Sequence, residues 1–292
     1  MDESNDDQGW LEDPTRNETR YARILATTTI PAWGLLKESL KESLKQDTKL
    51  LFPRMICRSF ATVVGIPRAI LMSPGTRRDA IVYRTLKTWA ARMCELARMR
   101  LELRSETVLD PKGTYLFAAN HMSPADIPTI YRSLPVNAAF VANALFERVP
   151  VFSYWMRKSG AVFVEQGNAS SEMKAFKLMI RRLKRGRSLI LFPEGYIHQS
   201  EGMAGFKRGG LNAAHFAGVP IVPVCIFGTQ DVMRSGSLHV VPNRRVCFEI
   251  GEPIETVSLS RNSRKNLESI VFNRIQEMKL RYAAEWSFNR PR

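Results

Sequence analysis

The sequence has few cysteines and no long hydrophobic run, and these absences exclude several classes of protein. Its 292 residues include four cysteines, without a CxxC pair or a histidine at metal-ligand spacing. No metal site is therefore expected, and a reducing cytoplasm is the default compartment. A membrane-spanning helix needs about 20 consecutive apolar residues, whereas the nearest candidate, 50–72, is interrupted by Arg54, Arg58, Pro67 and Arg68. The N-terminus also lacks the basic and apolar regions of a secretory signal, so export is not expected.

Negative charge is scarce after the first twenty residues. The chain has 43 basic and 28 acidic residues and a formal charge of +15, although residues 1–20 alone carry seven acids against two arginines. A surface this basic attracts the phosphates of either nucleic acid or an anionic membrane. The composition, 45% hydrophobic and 24% charged, is that of a folded protein. We predict an acidic disordered tail over 1–20, a basic helical membrane-associating region over 21–100 and an α/β domain over 101–292.

Two apolar segments of the basic region, 24–36 and 50–72, have the composition of helices that lie at a membrane surface. Their arginines can reach the headgroups while Trp33, Phe52 and Phe60 enter the acyl boundary. The residues 84–98 form a further basic amphipathic helix by their spacing. Each of these segments could instead be an ordinary helix packed on the main domain. With the membrane interpretation, we expect peripheral or monotopic attachment at the cytoplasmic face.

After residue 100, short apolar runs alternate with helical segments. The predicted strands are 115–119, 138–142, 161–164, 188–192, 221–227 and 246–250, and the predicted helices include 170–184, 208–217 and 261–285. Continuous apolar strands that alternate with helices are typical of a sheet buried on both faces. The fold class is therefore α/β, with a mostly buried mixed sheet flanked by helices.

The first candidate for chemistry is the pair His121 and Asp126, directly after the strand 115–119. In α/β folds, reactive side chains are usually presented at the carboxyl ends of strands. Ser123, Pro124 and Asp126 also fit the N-cap, N1 and N3 positions of a helix. A histidine held by a carboxylate can take a proton from a hydroxyl, because the carboxylate stabilises the imidazolium. Asp126 could equally serve only to stabilise the start of the helix.

A second polar cluster follows the strand 188–192, where Glu194 and Gly195 form a tight turn. Two strand ends that each deliver polar groups suggest one shared site. The stretch GMAGFKRGG at 202–210 then carries Lys207 and Arg208 at the start of a helix, and such a glycine-rich loop can bind an anion. Neither GxGxxG nor GxxxxGK[ST] is present, so a nucleotide-binding fingerprint is absent.

Four motifs in this order, NHMSPAD at 120–126, GAVFVEQ at 160–166, LFPEG at 191–195 with FKRGG at 206–210, and VPIVPV at 219–224, resemble the glycerolipid acyltransferases. The resemblance spans about residues 101–255 and is to the 1-acylglycerol-3-phosphate (lysophosphatidate) acyltransferase branch. It implies transfer of a fatty acyl group from acyl-CoA or acyl-carrier protein to a hydroxyl of a lyso-glycerolipid, without a metal, a cofactor or a covalent acyl-enzyme. It implies His121 as general base and Asp126 as its partner. The substrate-binding residues implied are Asn120, Ser123, Gln166, Glu194, Gly195, Lys207 and Arg208.

Two positions depart from the family pattern. Gln166 and Ile197 stand where the family commonly has arginines that are expected to bind phosphate, and neither can form the bidentate contact of a guanidinium. Either Lys207 and Arg208 bind the phosphate instead, or the acceptor is a different lipid alcohol. Candidates are a lysophospholipid with a larger headgroup and a lyso-aminolipid.

Two other function classes fit the sequence less well than an acyltransferase. A non-enzymatic basic module explains the charge but not four ordered motifs, and no helix-turn-helix, zinc-finger or aromatic-stacking signature is present. A hydrolase would use water at the same histidine and aspartate, although the sequence has no GxSxG motif. The expected partners are therefore an anionic membrane surface, a lyso-lipid acceptor and an acyl-CoA or acyl-carrier protein donor, and not nucleic acid.

Overall fold

The protein is seen here in a computed structural model that describes residues 75–148, 150–197, 202–237 and 239–288. This part of the chain contains one seven-stranded sheet with the order β1-β7-β6-β2-β5-β3-β4. The strands are β1 (Arg100–Ser105), β2 (Leu116–Ala119), β3 (Ala138–Asn143), β4 (Val162–Val164), β5 (Ser188–Leu191), β6 (Ile221–Phe227) and β7 (Arg245–Ile250).

The direction of the strands decides which loops meet at each edge of the sheet. Strands β2 to β6 run parallel, β7 pairs antiparallel with β6, and β1 pairs parallel with β7. The carboxyl ends of β2 to β6 therefore share one edge with the amino ends of β1 and β7. We call this edge the active edge, because the predicted catalytic residues follow β2 there.

Helices cover both faces of the sheet. They are α1 (Gly75–Leu96), α2 (Asp126–Ser133), α3 (Pro150–Ser159), α4 (Ala169–Lys184), α5 (Arg208–Ala217), α6 (Thr229–Val232), α7 (Arg261–Lys265) and α8 (Leu267–Phe288), with a 3₁₀ helix at Ala144–Arg148. Local chemistry fixes several of their ends. The side chain of Asn168 accepts a hydrogen bond from the Ser171 amide at the start of α4, and Gly218 ends α5 with φ +74°.

The core lies in two layers, one on each side of the sheet. Leu116 and Ala118 of β2 pack in one layer with residues of α5 and α8, whereas Phe117 and Ala119 pack in the other layer with Ile130 of α2. All four strand residues are at most 1% exposed. This explains why β2 is a continuous apolar run and not an alternating one.

The α/β fold with a mixed, mostly buried sheet is confirmed, and six strands lie within one residue of the predicted bounds. Strand β1 was not predicted because four of the six residues in its sequence, RLELRS, are polar, as suits a strand at the edge of a sheet. Helix α3 was also not predicted. The predicted final helix is two helices, since Asn266 ends α7 one residue before α8 begins.

The predicted tail at 1–20 and the apolar segments 24–36 and 50–72 lie outside the described residues. The helix predicted over 84–98 is the second half of α1, which packs against α2, with Ala90 and Met93 buried. Tyr83 and Lys87 both donate hydrogen bonds to the carbonyl of Leu134, just after α2. In the described part of the chain, no helix combines the length and the apolar character needed to cross a bilayer.

Candidate active site

His121 and Asp126 meet at the active edge, as their spacing predicted. His121 lies two residues after β2, and its Nδ1 is 2.8 Å from Oδ2 of Asp126. The aspartate is completely buried, and the histidine side chain is 14% exposed. The pair is therefore a buried carboxylate that holds an imidazole at the surface of the site.

The hydrogen bonds around Asp126 fix the tautomer of His121. Its Oδ2 also accepts the amides of Met122 and Ser123, at 2.7 and 2.9 Å, and its Oδ1 accepts the hydroxyl of Thr229 at 2.5 Å. The two backbone amides can only donate, so Oδ2 is an acceptor, and hydrogen bonds donated to a carboxylate favour its ionised form. Nδ1 of His121 must then carry the proton, and Nε2 is left as an unprotonated base.

The ring of His121 is also held by stacking. Phe192, the residue after β5, lies parallel to the imidazole, with 3.8 Å between the ring centroids and 10° between the planes. Phe140 of β3 stacks in turn on Phe192, with 5.7 Å between the ring centroids. Within the described residues, Nε2 of His121 has no hydrogen-bond partner. The stack and the aspartate together hold the imidazole ring in one orientation.

Glu194 connects the histidine turn to the glycine-rich loop. Its two carboxylate oxygens accept the backbone amides of His121 and Ala204, each at 2.8 Å, and the residue is 1% exposed. Burial raises the pKa of Glu194 above its ordinary value, against the lowering effect of these two hydrogen bonds. Glu194 thus joins the two segments, whereas the resemblance implied a contact with substrate.

Asn120 and Ser123 connect the His121 turn to the backbone of more distant segments. The amide of Asn120 is fully buried and exchanges two hydrogen bonds of 2.8 Å with the backbone of Ile226 in β6. The hydroxyl of Ser123 is also buried, donates to the carbonyl of Met233 at 2.6 Å and accepts the amide of Ala125. Both side chains have their hydrogen bonds within the protein, so the structure places them as supports of the His121 turn.

The helix after this turn starts later than predicted. Helix α2 begins at Asp126, and the residue before it, Ala125, provides no side-chain cap. Ser123 is therefore not its N-cap, and Asp126 is its first residue. The hydrogen bonds of residues 122, 123 and 125 go to the Asp126 carboxylate and to the Ser123 hydroxyl. The regular helical pattern starts only after these local bonds.

A polar group at the other side of the site combines Gln166, Gly195 and Lys207. The amide of Gln166 donates to the carbonyl of Gly195 at 2.7 Å and accepts from the ammonium of Lys207 at 2.6 Å. Gly195 has φ +85°, and a Cβ there would lie 3.0 Å from both side chains. Arg208 is separate from this group, with its guanidinium 3.8 Å from Glu268 of α8. Lys207 is therefore the cation that the structure places beside Gly195.

Sequence reasoning missed Phe192 and Thr229. Phe192 was interpreted as a strand residue, and an aromatic side chain at a strand end gives no signal of what it stacks on. Thr229 lies 103 residues after Asp126, with no local pattern to connect them. Among the described residues, no three His, Cys, Asp or Glu side chains are grouped so as to hold a metal ion.

Comparison with known proteins relates this site to the acyltransferases. The sequence model of the acyltransferase family matches residues 100–227, a stretch that holds His121, Asp126, Gln166, Glu194 and Lys207. This stretch is an acyltransferase domain. Several curated relatives of the chain also carry the name acyltransferase.

One relative is the 1-acyl-sn-glycerol-3-phosphate acyltransferase of Escherichia coli K12, 27% identical over 194 residues, which are 64% of this chain and 77% of the relative. Another is the lyso-ornithine lipid O-acyltransferase of Pseudomonas aeruginosa, 29% identical over 158 residues, 54% of this chain and 59% of the relative. The crystal structure of the 1-acyl-sn-glycerophosphate (LPA) acyltransferase PlsC from Thermotoga maritima superposes with a TM-score of 0.67 at 24% identity. It covers 79% of this acyltransferase and 95% of that chain, and it shares the fold.

Proposed function

We propose that this acyltransferase moves a fatty acyl group from an acyl thioester, acyl-CoA or acyl-carrier protein, to a hydroxyl of a lysophosphatidate-like lyso-glycerolipid. The observation that carries the proposal is the imidazole of His121, whose Nδ1 is held 2.8 Å from Asp126 while Nε2 has no hydrogen-bond partner among the described residues. The names of the relatives support a lyso-lipid acceptor. The acyl donor is taken from the family resemblance, and the role of His121 as general base is supported by its pairing with Asp126.

The reaction needs one proton to move from the acceptor to the leaving group. Nε2 of His121 takes the proton of the acceptor hydroxyl as its oxygen bonds to the thioester carbonyl carbon. The C–S bond then breaks, and the leaving thiolate takes the proton back from the imidazolium, so that the products are an ester and a thiol. The ionised Asp126 stabilises the imidazolium between these two steps.

The acceptor phosphate is assigned to Lys207 and the start of α5. Lys207 precedes this helix, whose first turn has no side-chain cap, so its free amides and the ammonium group can bind an anion together. A second acceptor class, a lyso-aminolipid, is favoured by one specific observation. The side chain of Gln166 accepts a hydrogen bond from Lys207, and a glutamine cannot form the bidentate phosphate contact of an arginine.

We further propose that the protein attaches peripherally to the cytoplasmic face of an anionic membrane. The support is the excess of fifteen basic over five acidic residues in 21–100, because each basic residue near an anionic surface contributes about 1 kcal/mol of attraction. Flotation with vesicles containing anionic lipid tests this directly. We expect binding at low salt that weakens as salt rises, and no flotation at low salt would contradict it.

The activity test uses labelled oleoyl-CoA and oleoyl-carrier protein with a panel of acceptors: glycerol 3-phosphate, lysophosphatidate, lysophosphatidylcholine, lysophosphatidylethanolamine and a lyso-aminolipid. We expect His121→Ala to lower kcat by at least about 10³-fold, at the upper part of the range for general base catalysis. The matched control is His215→Ala, which removes a half-buried, hydrogen-bonded imidazole from the last turn of α5. Retained turnover by a folded His121→Ala variant would refute the base assignment, and release of free fatty acid alone would indicate a hydrolase.

A further inference from the structure

A cavity of about 770 Å³ that the catalytic pair does not use is lined by arginines. Four of its lining side chains are guanidinium groups, from Arg100, Arg234, Arg244 and Arg245, and Asp231 is the one carboxylate among its described lining residues. We call it the arginine cavity. Its charge marks it as a site for an anion with more than one negative group.

The topology of the sheet places the arginine cavity at the active edge. Arg100 starts β1 and Arg245 starts β7, and both strands run opposite to β2 and β6, so their first residues lie at the edge where β2 delivers His121. Neighbouring strands are about 4.8 Å apart. With the order β1-β7-β6-β2, the starts of β7 and β1 lie two and three strand spacings, about 10 and 14 Å, from the catalytic strand.

The cavity and the catalytic pair share a wall, which is the segment 229–234. On one side of this wall, Thr229 donates to Asp126 and the carbonyl of Met233 accepts from Ser123. On the other side, Asp231 and Arg234 line the cavity. A ligand bound in the cavity would therefore lie against the segment that positions the carboxylate of the catalytic pair.

The guanidinium groups are available to a ligand. Arg100, Arg234 and Arg244 are exposed, and none of them is in an ion pair with another described residue. Arg245 differs, because its guanidinium forms an ion pair of 2.7 Å with the carboxylate of Glu102 and lies 4.4 Å from the ring centroid of Trp286. The cavity thus combines one fixed arginine with three that lack a carboxylate partner in the described part of the chain.

We infer that the arginine cavity binds the nucleotide end of an acyl-CoA donor, through its 3′-phosphate and pyrophosphate. This inference rests on the proposed function and selects CoA over carrier protein as the donor. Guanidinium groups bind phosphate oxygens in a bidentate manner, and the CoA nucleotide carries several phosphates close together. The cavity lies on the β7 side of the catalytic strand, whereas Lys207, the cation assigned to the acceptor, lies on the other side.

The shape of the site favours a nucleotide over the other anions that a lipid enzyme meets. A concave volume of this size encloses a small molecule, whereas a membrane surface or an acidic carrier protein would meet a convex basic face. A single lipid phosphate would leave most of the guanidinium groups without a partner. The CoA nucleotide, with phosphates at two positions on its ribose, can pair with several of them.

The test is a double variant, Arg234→Gln with Arg244→Gln, in the full-length protein. Both side chains are exposed, so the fold should persist, and the melting temperature checks this. The matched control is Arg181→Gln with Arg185→Gln at the end of α4, which removes the same charge from exposed arginines elsewhere. Binding of adenosine 3′,5′-bisphosphate by calorimetry gives a readout that does not depend on activity.

We expect the cavity variant to weaken bisphosphate binding and to raise KM for oleoyl-CoA by at least about tenfold, the effect of losing one charge-assisted hydrogen bond. Its kcat/KM for S-oleoyl-pantetheine, which lacks the nucleotide, should match the wild type, and the control pair should be unaffected. An unchanged KM and bisphosphate affinity in the cavity variant would overturn the inference and leave the proposed function intact. Loss of vesicle flotation with normal CoA kinetics would instead assign the cavity to lipid phosphate and also overturn it. No transfer from oleoyl-CoA by the wild type would overturn the donor assignment itself.

Discussion

The substitution Asp126→Asn separates the charge of the catalytic carboxylate from its structural role. In the variant, the amide oxygen can stay at the Oδ2 position and accept from His121, Met122 and Ser123, as the carboxylate does. The amide nitrogen then faces Thr229, whose hydroxyl can rotate from donor to acceptor. The hydrogen bonds at the start of α2 therefore survive, and only the negative charge is lost.

The size of the effect follows from the distance between the charges. The imidazolium and the carboxylate centres are about 4 Å apart in a pair of this geometry, and two unit charges at that distance interact by about 4 kcal/mol at an effective dielectric of 20. That energy stabilises the imidazolium formed during the reaction. Its loss corresponds to about a 10³-fold fall in kcat, with little change in the free energy of unfolding.

The assay is acyl transfer at saturating donor and acceptor, together with urea unfolding of the same preparations. Asp110→Asn, at an exposed loop aspartate whose carboxylate accepts the Lys112 amide, is the matched control. Asp126→Ala should behave differently, because it leaves buried amides unpaired at a cost of about 1–3 kcal/mol each. A kcat of Asp126→Asn within about tenfold of the wild type would show that the negative charge is not what stabilises the imidazolium. Unfolding of Asp126→Asn as easily as Asp126→Ala would show that the hydrogen bonds at the start of α2 do not survive the substitution.

Three further substitutions test neighbouring features. Phe192→Leu removes the ring stacked on His121 and should lower kcat about five- to tenfold, since such a contact contributes about 1 kcal/mol; an unchanged kcat would show that the stack does not orient the base. Gly195→Ala places a Cβ against Gln166 at φ +85° and should lower the free energy of unfolding by about 1–2 kcal/mol. It should raise KM for the acceptor and not for the donor. An equal rise in the donor KM would contradict the assignment of this polar group to the acceptor. The hydrogen bond from Arg245 is the main reason why the pKa of Glu102 lies below its ordinary value of 4.5. The stabilisation by the ionised Glu102 is therefore present above pH 4.5 and is lost as the pH falls below that value. In urea titrations, Glu102→Gln should lose less stability in acid than the wild type, by about 0.5 kcal/mol, and identical pH profiles would contradict this.

The parts of this protein that the sequence predicted are those that local chemistry decides. Apolar runs such as LFAA at 116–119 and IVPVCIF at 221–227 are buried on both faces, so the pattern alone marks them as strands. His121 and Asp126 are five residues apart, and the strand that precedes them fixes the edge on which they lie. The pairing of a histidine with a carboxylate at this edge could therefore be predicted from local sequence alone.

The remaining features depend on contacts between residues far apart in the chain. The resemblance implied substrate contacts for Asn120 and Ser123, and the structure adds hydrogen bonds to Ile226 and Met233, which lie more than 100 residues later. No local pattern shows that these side chains are already hydrogen-bonded. The arginine cavity was missed for the same reason, because the topology joins the starts of β1 and β7 to the loop after β6.

The order of the strands also gives a physical reason for the position of the base. Gln166 follows β4 and Gly195 follows β5, so the polar group assigned to the acceptor lies on one side of β2. Arg100 and Arg245 start β1 and β7 and lie on the other side. A reaction that joins two large amphipathic substrates needs separate attachment points, with the base between the acceptor hydroxyl and the donor thioester. A histidine directly after the strand in the middle of the sheet meets this requirement, since each substrate can approach His121 from its own side without crossing the other.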